Sequence, residues 1–68
     1  MQKTNYVEGI EDRIVRSLAD KPSSSTSEIA RELSVNRSTA SKYLLVLRAK
    51  RRVWFRQVGP VKLWSLEE

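Results

Sequence analysis

Arg37, Ser38, Thr39, Ser41 and Lys42 put two cations and three hydroxyls into six consecutive positions. Cations of this kind donate to phosphate oxygens, and an Arg or Lys also reaches the O6 and N7 atoms of guanine. Short hydroxyl side chains let a backbone approach a polyanion closely. Ser and Thr are mediocre helix formers, so three of them in little more than one helical turn call for a reason beyond a solvated face. A second group of cations, Lys50, Arg51 and Arg52, follows eight residues later. Its chemistry suits phosphates better than base edges, although solubility alone also explains such a run. Arg56 and Lys62 stand on either side of Gly59-Pro60.

Other chemistries are poorly supplied. There is no cysteine and no histidine among the 68 residues, which removes disulfides and the usual zinc and iron ligand sets. No carboxylate pair suggests a general acid and base, and so short a chain hardly encloses a pocket, so an enzyme is not expected. Neither a metal nor a cofactor is expected. No apolar run approaches the roughly 20 residues that cross a bilayer, and the N-terminus lacks the apolar region of a signal peptide. The expectation is a cytoplasmic protein with no membrane partner.

The charge is unevenly distributed. Residues 1–36 carry five cations against six acids, whereas residues 37–68 carry eight cations against Glu67 and Glu68. A net +5 chain with its positive charge in one half points to a polyanionic partner on one side of the molecule.

The elements that position these residues follow from periodicity. Asn5 and Glu8 have capping-box spacing after a flexible tail at 1–5, and Val7, Ile10, Ile14 and Leu18 then recur at helical intervals. This predicts a first helix over 6–20, broken by Lys21-Pro22 and three serines. Ser25 and Glu28 form a second capping box ahead of a two-turn helix at 26–33 that buries Ile29, Ala30 and Leu33. Asn36 caps a third helix at 36–49, whose Ala40, Tyr43, Leu44 and Leu47 share one face. After Ala49 the period changes from 3.6 to 2. A hairpin is predicted over 52–66, turning at Gly59-Pro60 as type II′. Pairing Val58 with Val61 places Val53, Phe55, Trp64 and Leu66 on the core face. It leaves Trp54, Val58, Val61 and Leu63 on the other, an apolar surface suited to a homodimer or another partner.

The order helix, helix, helix, hairpin within one domain at 1–68 is an α+β, mainly α, arrangement: a three-helix winged helix-turn-helix with a C-terminal β-hairpin wing. Ala30, Val35 and Ala40 at five-residue spacing, with Leu33 and Leu44, supply the close crossing that the two reading helices need. On "TSEIARELSVNRSTASKYLLVLRAKRRV" and "GPVKLWSL" the chain resembles the winged helix-turn-helix superfamily, and most closely the ArsR/MarR-like transcriptional regulators of bacteria and archaea. That resemblance covers residues 7–66. It implies sequence-specific binding of double-stranded DNA, with the third helix in the major groove and the wing on the backbone or minor groove. By position Arg37, Ser38, Thr39, Ser41 and Lys42 face the DNA, with Arg56 and Lys62 on the wing.

Two departures are visible. The family usually has a Gly after the third helix, where this chain has Lys50-Arg51-Arg52, so a cation is expected in a strained φ > 0 conformation or the exit is reshaped. Metal sensing, which uses Cys and His ligands in that family, is not carried over. The layout and the Trp after the Pro-containing wing are also similar to Z-DNA-binding Zα domains. Those require an Asn and a Tyr where this chain has Ser41 and Leu45, which ranks that reading low. The remaining alternative is a winged helix used for protein–protein contact in a larger complex. The expectation is a small regulator acting as a dimer on a two-fold operator, or one domain of a longer protein.

Overall fold

The computed structural model describes residues 9–67. Helix α1 (Ile10–Asp20) starts later than the periodicity predicts. Gly9 is extended (φ −74°, ψ 169°) and forms the N-cap, and Glu11 and Asp12 occupy the first turn, where they complement the positive end of the helix dipole. The predicted start at residue 6 is therefore corrected to Ile10, because the chain is not helical at Gly9. The Asn5–Glu8 box, Val7 and the tail lie outside the described residues.

The serine stretch does more than break a helix. Ser24–Ser25 forms a two-residue strand, β1, which the sequence reading did not anticipate. It pairs antiparallel with Trp64 and Leu63. Two residues carry no periodic signal, and only the arrival of a partner strand makes them a strand. Ser24 is buried, and its hydroxyl donates to the Lys21 carbonyl at 2.6 Å, closing the loop from α1.

Helix α2 (Thr26–Leu33) and helix α3 (Arg37–Ala49) begin as their caps require. The Ser25 hydroxyl accepts from the Glu28 amide at 3.1 Å, and the Ser25 amide donates to the Glu28 carboxylate at 2.8 Å. Asn36 Oδ1 accepts from the Thr39 amide at 2.8 Å. Between the helices Ser34 takes a left-handed conformation (φ 59°), and the Val35 amide donates to the Ala30 carbonyl at 2.9 Å. That bond turns the chain sharply and sends Val35 against the core. Arg13 of α1 donates to the Leu33 carbonyl at 3.2 Å, supplying a partner for one C-terminal acceptor of α2.

Strands β2 (Val53–Val58) and β3 (Val61–Leu66) pair in the predicted register, Val58 with Val61, Phe55 with Trp64 and Val53 with Leu66. Gly59 at the turn has φ 58°, the sign that a type II′ turn needs at its first central position. The sheet order is β1-β3-β2, so β2 is an edge. The core gathers Ile14, Leu18, Ile29, Ala30, Leu33, Ala40, Leu44, Leu47, Val53 and Trp64, with Tyr43, Phe55 and Leu66 packed against it. Small Ala30 and Ala40 are almost fully buried, as a close crossing of α2 and α3 demands. This is the winged helix-turn-helix arrangement that the sequence predicts, with one strand added.

Candidate nucleic-acid interface

Arg37 opens α3, and no acid stands in its first turn. The positive end of the helix dipole is therefore left to be complemented from outside. Arg37, Ser38, Ser41, Lys42 and Leu45 lie along one side of α3, and that side forms one wall of an open groove of about 870 Å³. Ser25, Thr26 and Ser27 at the start of α2 make the second wall, and Pro60, Val61 and Lys62 at the wing tip make the third. Among the described residues no Asp or Glu lines it. Three cations and five hydroxyls therefore face one concave surface built from three separate elements.

The structure divides the residues singled out from sequence. Arg37, Ser38, Ser41, Lys42 and Lys62 come together in the groove, and Thr39 does not line it. Along α3, Thr39 points about 200° from Arg37 and 100° from Ser38, and it is half-buried. Arg56 and Lys62 lie on opposite faces of the wing. Lys62 pairs with Gln57, on the face of Phe55 and Trp64, while Arg56 pairs with Leu63 on the outer face. A strand alternates faces at every residue, so these two cations never share a surface.

The Lys50-Arg51-Arg52 run is also split. Lys50 is held by Glu11 of α1 at 2.8 Å, away from the groove. Arg51 adopts the left-handed conformation (φ 61°), the strained one of the two exits expected where the family has glycine. Its amide donates to the Arg48 carbonyl and the Arg52 amide to the Leu47 carbonyl, both at 2.9 Å. That pair of bonds is a Schellman exit, with an arginine where glycine is usual. Arg51 lines a shallow recess with Leu45, Arg48 and Trp54, outside the main groove.

The outer apolar face is interrupted as well. Trp54, Val58 and Val61 are 46%, 48% and 41% exposed, whereas Leu63 is half-buried. Arg56 stands between Trp54 and Val58 on that face, and Val61 also reaches the groove.

Two features, the α2 hydroxyls and Arg48, escaped the sequence reading, while Leu45 stands at the position the Zα comparison singled out. Ser25, Thr26 and Ser27 join the groove, and the cluster of hydroxyls at the start of α2 was the available signal. Leu45 is 51% exposed within an otherwise polar wall. Arg48 follows Arg37 by eleven residues and Ser41 by seven, intervals that keep all three on one helical stripe. Its guanidinium lies 4.8 Å from the centre of the Phe55 ring, and Lys62 Nζ lies 5.3 Å from the same centre. Each such contact contributes roughly 0.5–1 kcal/mol when exposed. Behind Phe55, Trp64 packs at 5.0 Å with a 51° tilt, and its indole N–H donates to Thr26 Oγ1 at 2.9 Å.

The fold is that of a winged helix-turn-helix protein. The sequence profile described as bacterial regulatory protein, arsR family, matches residues 13–51, more than half of the chain. The chain belongs to that family, whose members and fold are those of DNA-binding transcription regulators rather than enzymes. No curated protein sequence matches the chain. Among solved structures, the apo-Zalpha of zebrafish PKZ is 30% identical, covering 87% of this chain and 92% of that one, with a TM-score of 0.81. Zalpha of Carassius auratus PKZ, solved in complex with Z-DNA, is 26% identical over 84% of this chain and 90% of that one, with a TM-score of 0.77. Lactococcus lactis ZitR, a zinc-responsive MarR family member, shares the fold with a TM-score of 0.80 at 23% identity. The match covers 98% of this chain and 48% of ZitR, so the chain spans about half the length of that protein. Among the described residues no three His, Cys, Asp or Glu side chains come together as a metal site, and no helix is long and apolar enough to cross a membrane.

Proposed function

We propose that the protein binds right-handed double-stranded DNA with α3 in the major groove and the wing tip on the adjoining backbone. The supporting observation is the acid-free groove, in which Arg37, Ser38, Ser41 and Lys42 meet Lys62 and the hydroxyls of α2. In this reading Arg37 and Lys42 donate to base edges or flanking phosphates. The Ser25–Ser27 segment holds a phosphate at the start of α2, and Leu45 offers an apolar contact of the kind that meets a thymine methyl group. So small a reading surface gains specificity by pairing two copies on a two-fold operator. Trp54, Val58 and Val61 are the exposed apolar residues available to join those copies.

Left-handed DNA is the second reading, favoured by the likeness to Zalpha domains, one of which is solved with Z-DNA. Against it, Ser41 and Leu45 occupy the groove positions where Zα recognition uses Asn and Tyr.

The test is a titration with a mixed-sequence duplex and with a CG-repeat duplex locked in the left-handed form, at two salt concentrations. The expected result is binding of the right-handed duplex that weakens with salt, and a loss of roughly tenfold or more in Arg37→Ala/Lys42→Ala, since each base or phosphate contact contributes about 1–3 kcal/mol. Absence of binding at low salt, or an unaffected double variant, overturns the reading; preference for the left-handed duplex moves it to the second. Sedimentation at micromolar concentration, with and without duplex, tests the dimer. A monomer in both conditions removes it.

A further inference from the structure

Two cations from different elements lie over one aromatic ring. Arg48 comes from the last turns of α3 and Lys62 from the return strand of the wing, and each charged group is within 5.3 Å of the Phe55 ring centre. Among the described residues neither enters an ion pair, those of Lys21 with Glu32 and of Lys50 with Glu11 lying elsewhere, although Glu67 shares the recess that Arg48 lines. Like charges gathered this way repel, and the negative face of the ring offsets only part of the cost. An anion within reach of both charges would offset more of that cost. The ring is not free to swing away, because Phe55 packs on Trp64, which is hydrogen-bonded to Thr26 of α2. One connected set of contacts therefore ties the wing to both reading helices.

We propose that Arg48, Phe55 and Lys62 form an anion site at the junction of α3 and the wing, which takes a backbone phosphate of the bound duplex. Arg48 and Lys62 are its binding residues, and Phe55 is a positioning residue that fixes the wing against α3. Arg48 continues the stripe of Arg37, Ser41 and Leu45 toward the helix end, where a groove-bound helix passes from bases to backbone. The inference rests on the DNA-binding reading and extends it to residues outside the α3 N-terminus.

The experiment measures duplex affinity against salt for the wild type, Arg48→Gln, Lys62→Gln, the two combined, Phe55→Leu and Phe55→Tyr, with melting temperatures for each. Every phosphate contact contributes about 0.9 to the log–log salt slope of a duplex. Arg48→Gln and Lys62→Gln are each expected to flatten the slope by about that amount, and the combination by about 1.8. Phe55→Leu is expected to reproduce part of the combined loss while Phe55→Tyr, which keeps the aromatic face, restores the wild-type slope. A folded Phe55→Leu protein with an unchanged slope overturns the positioning role. Arg48 is exposed, so Arg48→Gln remains informative if Phe55→Leu fails to fold. Wild-type binding that depends on Arg37 and Lys42 but shows the same slope in Arg48→Gln overturns the anion site and leaves the groove reading standing. A wild type that does not bind duplex removes both.

Discussion

Arg51 holds a conformation that glycine adopts freely and that costs other L-residues roughly 1–2 kcal/mol. Its left-handed φ of 61° lets the Arg51 and Arg52 amides close the end of α3. Arg51→Gly is therefore expected to stabilise the protein by about 0.5–1 kcal/mol, net of the added freedom of the unfolded chain. That gain corresponds to a rise in melting temperature of a few degrees, roughly 2–8 °C for a domain of this size. Thermal denaturation followed by circular dichroism checks it, and a lowered midpoint contradicts the strain argument. Thr26 makes the opposite kind of prediction. Its hydroxyl is the partner of the Trp64 indole N–H, and Trp64 is only 1% exposed. Thr26→Val keeps the shape but leaves that donor unpaired, so a loss of about 1–3 kcal/mol is expected in urea denaturation. A loss no larger than an ordinary surface substitution would show that water replaces the hydroxyl.

At the scale of elements, α2 is the one most dependent on its ends. Eight residues form only two turns, too few to be stable alone, so caps and packing hold it. Ser25→Ala removes the cap and is expected to cost about 1 kcal/mol. The same box sets an acid limit. The Ser25 amide, donating to the Glu28 carboxylate, holds the Glu28 pKa below its ordinary value, with smaller help from the Ser25 hydroxyl, Arg31 and Lys21. A lowered folded-state pKa contributes stability in full above the ordinary glutamate value, and that contribution is lost as pH falls through the lowered one. Denaturation curves from neutral to acidic pH should therefore show Glu28→Gln losing less stability on acidification than the wild type. Parallel curves for the two proteins would rule out Glu28 as a source of acid sensitivity. These boundaries were legible beforehand: Ser25, Glu28 and Asn36 announce their helices through chemistry confined to four residues. The start of α1 was not, because Val7 and Ile10 continue the helical spacing across Gly9, while the backbone there is extended.

For the whole molecule, the deciding quantity is where charge meets shape. The groove brings together cations that are 25 residues apart, Arg37 and Lys62, and excludes Lys50, which pairs with Glu11 across 39 residues. Affinity for duplex DNA should therefore respond unequally to neutralising cations that look equivalent in sequence. Lys62→Gln is expected to weaken binding and flatten the salt slope by about 0.9, whereas Lys50→Gln is expected to leave the slope unchanged. Equal effects of the two would mean that net charge rather than the groove governs binding.

The sequence by itself determined the three helices, the hairpin and its register, and the polar face of α3. Each is encoded locally, by a periodicity, a cap or a turn residue whose physical effect reaches only a few neighbours. For the end of α3 the sequence left two exits open, a reshaped one or a strained one, and the structure takes the strained one at Arg51. Tertiary structure alone decided which cations share a surface. Arg37 and Lys62 meet across the groove, and Lys50 is captured by a helix distant in the chain. Arg48 is recruited by a ring on the wing, and two serines become a strand only when β3 lies beside them. Those outcomes depend on contacts between residues far apart in sequence, and no pattern within a single segment carries them.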